Sequence, residues 1–200
     1  MIGVALLALA APLYMPTVYL SSYVLPWLVF SAATLSLTLL MGIAGQLHFG
    51  YAAVLAIGAY TSIHLARAGV PFELALVGAG LLAAIIGCVF GAAALRVKGL
   101  YLVMATVAMQ FLVDWVIVNV TAISGGAVAT LQTPRVSFLF VPLDGLYPRY
   151  YVVLLWVAIV TMLVLNIKRT SFGRALVAVR DKDFAAAVIG VNIFKYKLLA

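Results

Sequence analysis

From Leu74 to Leu95 the chain carries no charged side chain, and Cys88 is the most polar residue in the stretch. A run of about 20 apolar residues is what a helix needs to cross the hydrocarbon core of a bilayer. Inside lipid every backbone polar group must be satisfied within its own element, so the run is predicted to be a transmembrane helix. Arg96 and Lys98 close it. Similar runs follow the same logic at Leu25–Met41, Tyr101–Val120 and Tyr150–Ile167, with a shorter helix predicted from Tyr51 to about Ala66. The opening run from Ile2 to about Leu13 is interrupted by Pro12 and Pro16. It is read as a tilted or shortened first helix, with residues 12–23 forming an outer turn whose tyrosines suit the membrane interface. The fold class expected is an all-α polytopic membrane protein, one domain over residues 1–200, with five or six crossings.

Charge composition agrees. Charged residues make up 8% of the chain and hydrophobic ones 67%, with a mean hydropathy of +1.25. A soluble domain usually carries about 25% charged residues, so too few are present to clothe a water-facing surface. The net charge of +7 does not point to nucleic acid, because the cations sit beside the spans. Lys168, Arg169, Arg174, Arg180, Lys182, Lys195 and Lys197 fall in one stretch against Asp181 and Asp183. Basic flanks mark the cytoplasmic side of a membrane protein. Placing 168–197 inside puts a polar loop at about 121–148 outside, Arg96 and Lys98 inside, Arg67–Glu73 outside and residues 42–50 inside. Arg135 and Arg149 then fall outside, mildly against the bias. The start lacks a basic leader, so no cleaved signal peptide is expected. The apolar run opening at YKLLA leads to the expectation that the protein continues beyond Ala200.

Enzyme chemistry is not expected. The sequence offers no paired nucleophile and base, no phosphate-cradling loop and no metal-ligand spacing, and one cysteine cannot form a disulfide within the chain. His48 and His64 stand among apolar residues and read as packed or hydrogen-bonded histidines. No cofactor is implied.

Four features carry functional weight instead. The segment GIAGQLHFG at 42–50 holds three glycines with Gln46 and His48. It is either a cytoplasmic turn or a broken, re-entrant element, since irregular backbone at membrane depth must lie inside protein or against a water-filled cavity. Thr106, Gln110 and Asp114 recur at four-residue spacing and form one polar stripe on a span. A carboxylate there either lines a transport path or is hydrated or paired, with Arg135 and Arg149 as candidate partners. TAISGG at 121–126 is either a plain turn or a nest of N–H groups able to receive a carboxylate or seat a partner. Residues 173–189 are predicted to form one or two amphipathic helices at the interface. Ala185, Ala186 and Ala187 would give a tightly packable surface for a cytoplasmic partner, and Gly190 would end the helix. Arg174, Arg180 and Lys182 would grip lipid phosphates or acidic partner residues. Ala83, Gly87 and Gly91 add a small-residue face that allows close helix approach.

Four segments in order resemble a known family: GIAGQLHFG with YAAVLAIGAY at 42–60, GAAALRVKGLYLVMAT at 91–106, TAISGG at 121–126, and SFGRALVAVRDKDFAAAVIGVNIFKYKLLA at 171–200. The chain is similar to permease subunits of the branched-chain amino acid ABC importers, of the LivM type. The resemblance implies a multi-pass protein of a bacterial or archaeal plasma (inner) membrane. It implies a sister permease subunit, two cytoplasmic ATPase subunits that hydrolyse the ATP, and an extracytoplasmic substrate-binding protein. It makes about 168–197 the coupling loop, with ATPase-coupling roles for Gly173, Arg174, Arg180, Asp181, Asp183, Ala186 and Gly190. It places 42–50 near the central path, where Gly45, Gln46 and Gly50 keep the backbone shape. Path candidates are thus Gly45, Gln46, His48, Gly50, Thr106, Gln110 and Asp114. Relatives commonly carry serine at the position of His48, histidine at that of Tyr51, and glutamate and arginine at those of Phe111 and Asp114. The substrate accordingly stays open among branched-chain amino acids, urea, amides and aromatic acids. Two rivals remain: a fragment of an ion-coupled secondary transporter, which calls for an inverted repeat that the sequence does not display, and a non-transporting membrane scaffold.

Overall fold

The computed structural model describes residues 8–12, 14–95, 100–126, 131, 136–138, 141–188 and 190–199, with backbone alone at residues 100, 141, 183, 185 and 187. Helix α1 covers Thr17–Ile43, α2 Tyr51–Arg67, α3 Phe72–Ala94 and α4 Leu100–Asn119. A single helical turn, α5 (Thr121–Ser124), and a two-residue ladder follow. In the ladder β1 (Ser137–Phe138) runs antiparallel to β2 (Val141–Pro142). Helix α6 spans Leu146–Arg169, and α7 (Ser171–Asp181), α8 (Asp183–Val188) and α9 (Ile193–Leu199) complete the described chain. Helices α1, α3, α4 and α6 are long and apolar enough to cross a membrane, and α2 has 17 residues. At most 17% of the residues in the most apolar window of any span are buried. The remaining apolar surface must therefore meet lipid or further protein.

Residues 17–23 correct the outer turn expected there, because they are helical and continuous with α1. Pro16, extended at φ −58° and ψ 146°, stands just before the first turn. Leu20–Val24 then forms a π turn directly ahead of Pro26. A proline inside a helix lacks its N–H and crowds the preceding turn, and a widened turn accommodates it. Tyr14, Tyr19, Tyr23 and Trp27 are exposed around this end, as an interfacial belt requires. The predicted first span lies mostly outside the described residues, as do Arg96, Lys98 and Arg135.

Helices α2 and α3 form a hairpin, α4 packs across both, and α1 packs along α6. Ala53, Met109 and Val113 make the buried centre of the α2–α4 group, with Val54, Ile57, Ile86 and Phe90 around them. The small-residue face of α3 extends further back than predicted, since Ala75, Ala79 and Ala83 are all buried on it. Small side chains let backbones approach, and a Cβ on Gly78 would stand 2.9 Å from Leu65.

Segments distant in the chain meet at one end. His64 Nε2 bonds Ile123 O at 2.8 Å, Phe72 meets Phe138 edge-on at 6.3 Å, and the Tyr150 hydroxyl donates to Ala8 O. At the other end α7 and α9 gather under the close of α1.

Candidate functional site

The site begins where α1 comes apart. Thr38–Ile43 is a second π turn, and residues 44–50 have no helical structure. The N–H groups of Ala44 and Gln46 still reach back, to Leu39 O and Leu40 O at 3.1 Å each. Gly45 then takes φ +67°, a left-handed conformation that costs other L-residues about 1–2 kcal/mol. The sequence left open whether 42–50 is a cytoplasmic turn or a broken, re-entrant element; in the structure α1 ends at Ile43 and a non-helical segment leads into α2 at Tyr51.

Helix α4 holds that return in place. Phe49 N–H donates to Thr106 Oγ1 at 3.2 Å, and Thr106 Oγ1 donates to Val103 O at 2.8 Å. A Cβ on Gly50 would lie 2.6 Å from Thr106 O, so the two backbones touch at this point. Gly50 is the N-cap of α2, and Ala53 is the third residue inside it. The N–H groups of a helix's first turn have no partner within the helix. Gln110 supplies one from outside: its Oε1 accepts from Ala53 N–H at 2.7 Å. Its Nε2 donates to both carboxylate oxygens of Asp114 at 3.1 Å. The polar stripe is thus a hydrogen-bonded ladder tying α4 to the start of α2. Arg149, a suggested partner for Asp114, donates from Nε to Leu143 O at 2.6 Å.

A cavity of about 310 Å³ opens beside the break, bounded by the end of α1, α3, α4 and α9. Of the seven path candidates it brings together Gln46, His48 and Thr106. Gly45 and Gly50 shape the backbone behind them, while Gln110 and Asp114 stand away from the cavity, further along α4. Ala83, Ala84, Gly87, Gly91 and Ala105 leave its far wall low and apolar. That volume and mix of a few polar groups among apolar ones is characteristic of small-molecule sites. The sequence reading missed Leu40 and Ala84 in the cavity lining; the small-residue stripe on α3 was the signal for Ala84.

At the basic end Thr170 caps α7, its Oγ1 accepting from Gly173 N–H at 3.3 Å. A side chain at Gly173 would run into Ile167 O, so α6 can turn sharply into α7 only past a glycine. Leu176 and Val179 are fully buried, and Leu176 packs on Ile43 and Ala44. Of the one or two helices expected over 173–189, two are present, α7 and α8, and α7 buries an apolar face. Gly190, at φ +87°, closes α8 with Val191 N–H donating to Ala186 O at 3.0 Å, the helix ending predicted for it. One expectation needs correction. Ala186 is 2% exposed and faces inward, because α8 is folded back on α7; among the described side chains of α8 the outward ones are Phe184 at 83% and Val188 at 72%. Arg180 stays 42% exposed while bonding within the chain: Nη1 donates to Gly42 O at 2.6 Å, and Nε donates to the carboxylate of its neighbour Asp181 at 3.0 Å. Arg174 stays on the exposed side and reaches Arg169 O at 3.4 Å. At 121–126 the glycine N–H groups do not form an open nest, since Gly125 donates to Thr121 O at 2.7 Å and Gly126 to Ser124 Oγ at 3.0 Å.

Residues 19–200 match the family described as "Branched-chain amino acid transport system / permease component". The chain is 30% identical to the high-affinity branched-chain amino acid transport system permease protein LivM of Escherichia coli (strain K12), over 83% of this chain and 45% of that protein. It is 29% identical to the LivM protein of Salmonella typhimurium (strain LT2) over the same shares. The chain therefore spans about half the length of the curated relatives it matches. No solved structure gives a significant match. With its apolar spans, its broken helix and a family match from residue 19 to residue 200, this chain belongs to the permease components of branched-chain amino acid transport systems.

Proposed function

We propose that this chain forms part of the membrane permease of an ATP-driven importer in a bacterial plasma (inner) membrane. The solute is a branched-chain amino acid or a related small polar compound. A sister permease subunit completes the path, an extracytoplasmic binding protein delivers the solute, and two cytoplasmic ATPase subunits hydrolyse the ATP. The family match across residues 19–200 carries this reading. The cavity beside the helix break is the stretch of path that this chain contributes, with Gln46, His48 and Thr106 as its polar groups.

The segment at about 168–197 is the coupling loop. Phe184 and Val188 lie one turn apart on the outward side of α8, beside exposed Asp181 and Lys182. Exposed apolar residues rimmed by charge suit a docking surface on a partner protein. Gly173, Ala186, Asp183 and Gly190 serve the same surface by shaping the loop, and Arg174 adds charge to its edge.

The test uses the complete transporter reconstituted in proteoliposomes with its binding protein. ATP-dependent uptake of labelled leucine, isoleucine or valine is expected, and competing urea, amides and aromatic acids rank the solutes. Phe184→Asp is expected to abolish ATP hydrolysis stimulated by the binding protein while leaving the protein in the membrane. Stimulation equal to wild type in that variant would remove the docking assignment; uptake without ATPase subunits would remove the importer reading.

A further inference from the structure

We infer that the helix break at 42–50 and the loop helices α7 and α9 move as one body, with Arg180 as the residue that positions the break on the loop. The inference rests on the importer reading, in which the loop is what the ATPases move.

Three contacts tie the two parts. The first is apolar: Leu176, fully buried, sits on Ile43 and Ala44, with Leu39, Phe172, Val177 and Tyr196 packed around it. Phe172 also stacks on Tyr196 at 5.5 Å, which fastens α7 to α9. The second is the guanidinium of Arg180. Gly42 O belongs to the last turn of α1, where carbonyls have no helical partner. The helix dipole also leaves partial negative charge there. Gln46 N–H, four residues on, goes to Leu40 O instead. Arg180 fills the vacancy at Gly42 from 138 residues away in sequence and caps the broken helix. Its stem needs room to do so. A side chain at Gly45 would collide with Arg180 Cγ and lie 3.0 Å from its Cδ, so the left-handed glycine and the arginine fit as a pair. The third is Gln46, whose Nε2 donates to Lys197 O on α9 at 2.8 Å.

The far side of the same segment is tied to Thr106 and bounds the cavity through Leu40, Gln46, Leu47 and His48. A displacement of the loop therefore carries this cavity wall with it and works against the Phe49–Thr106 hydrogen bond. That bond is the neutral and longer one, at 3.2 Å against 2.6 Å for Arg180 to Gly42. The loop side is held by a buried apolar contact and two hydrogen bonds, so the joint on the Thr106 side is the one that opens.

The test measures solute moved per ATP hydrolysed by the full-length protein in the reconstituted transporter. Arg180→Ala is expected to lower that ratio by about tenfold, the scale of one lost hydrogen bond to a charged group. Arg180→Lys keeps the charge and should recover part of it, which a merely destabilised fold would not do. A second experiment does not depend on Arg180. In a Cys88→Ala background, Ala44→Cys with Leu176→Cys places thiols at the apolar contact. Oxidative cross-linking is expected to leave uptake within twofold of the reduced protein, because the joined parts already travel together. Uptake lost on oxidation and restored by reductant would overturn the inference, as would an unchanged ratio in Arg180→Ala. A wild-type transporter that hydrolyses ATP without moving solute would instead sink the importer reading itself.

Discussion

Replacing Gln110 by leucine isolates the contribution of one side chain that reaches from α4 to start another helix. Ala53 is fully buried, so water cannot replace the oxygen that its N–H loses. An unsatisfied buried N–H costs about 1–3 kcal/mol. Asp114 loses its amide partner in the same variant, and its carboxylate, exposed on a span, must find another donor. Gln110→Leu is therefore expected to destabilise the protein by about 1–3 kcal/mol from Ala53 alone, with the loss at Asp114 in addition. Gln110→Glu separates the two halves of the carboxamide. It keeps an acceptor for Ala53 but sets a second carboxylate where Nε2 now stands, 3.1 Å from both oxygens of Asp114. Two like charges about 4 Å apart repel by about 4 kcal/mol at the effective dielectric of a protein surface. Adding Asp114→Asn to Gln110→Glu removes that repulsion and should return stability most of the way to wild type. Tryptophan fluorescence during denaturant titration of the purified protein in detergent reads these three variants, and Asp114→Asn alone completes the double-mutant cycle with Gln110→Glu. A Gln110→Leu protein within about 0.5 kcal/mol of wild type would show that Ala53 N–H does not depend on this oxygen, and the ladder would lose its structural meaning.

Three further outcomes follow from the geometry. Gly50→Ala drives a Cβ to 2.6 Å from Thr106 O, a backbone atom that cannot swing aside, so α2 and α4 should separate at a cost of about 1–3 kcal/mol in the same titration. Gly173→Ala meets Ile167 O at the corner between α6 and α7, and should unfold α7 first, seen as faster proteolysis at Arg174 and Arg180 than at Arg67. Tyr150→Phe removes the hydroxyl that ties α6 to Ala8 and should cost about 1 kcal/mol, leaving uptake intact because the contact lies at the opposite end from the cavity.

The membrane class was legible in the sequence because lipid makes it a local matter. A long apolar run must satisfy its own backbone, whatever it packs against. The spans from Leu74 and Tyr101 could therefore be read within a few residues of their observed ends. Chemistry confined to a few neighbouring residues was legible for the same reason: Gly190 ends its helix through φ +87°, and the glycines around Gln46 break theirs. Proline misled where its effect is local but not absolute, since Pro16 only precedes one long α1 and Pro26 fits inside it once a π turn absorbs the strain.

What each polar side chain bonds to was decided only by tertiary structure. Gln110 and Ala53 are 57 residues apart, and Arg180 and Gly42 are 138 apart. A four-residue stripe on a helix has the same sequence pattern whether it faces water or caps a neighbour. A basic loop has the same pattern whether its arginines point outward or back at a frayed helix. The direction of a side chain depends on which helix ends lie within its reach, and that is set by packing between segments distant in the chain. The sequence thus determined that this protein lives in a membrane and where its long helices end; packing alone brought Arg180 to Gly42, buried Ala186 and left Phe184 and Val188 facing out.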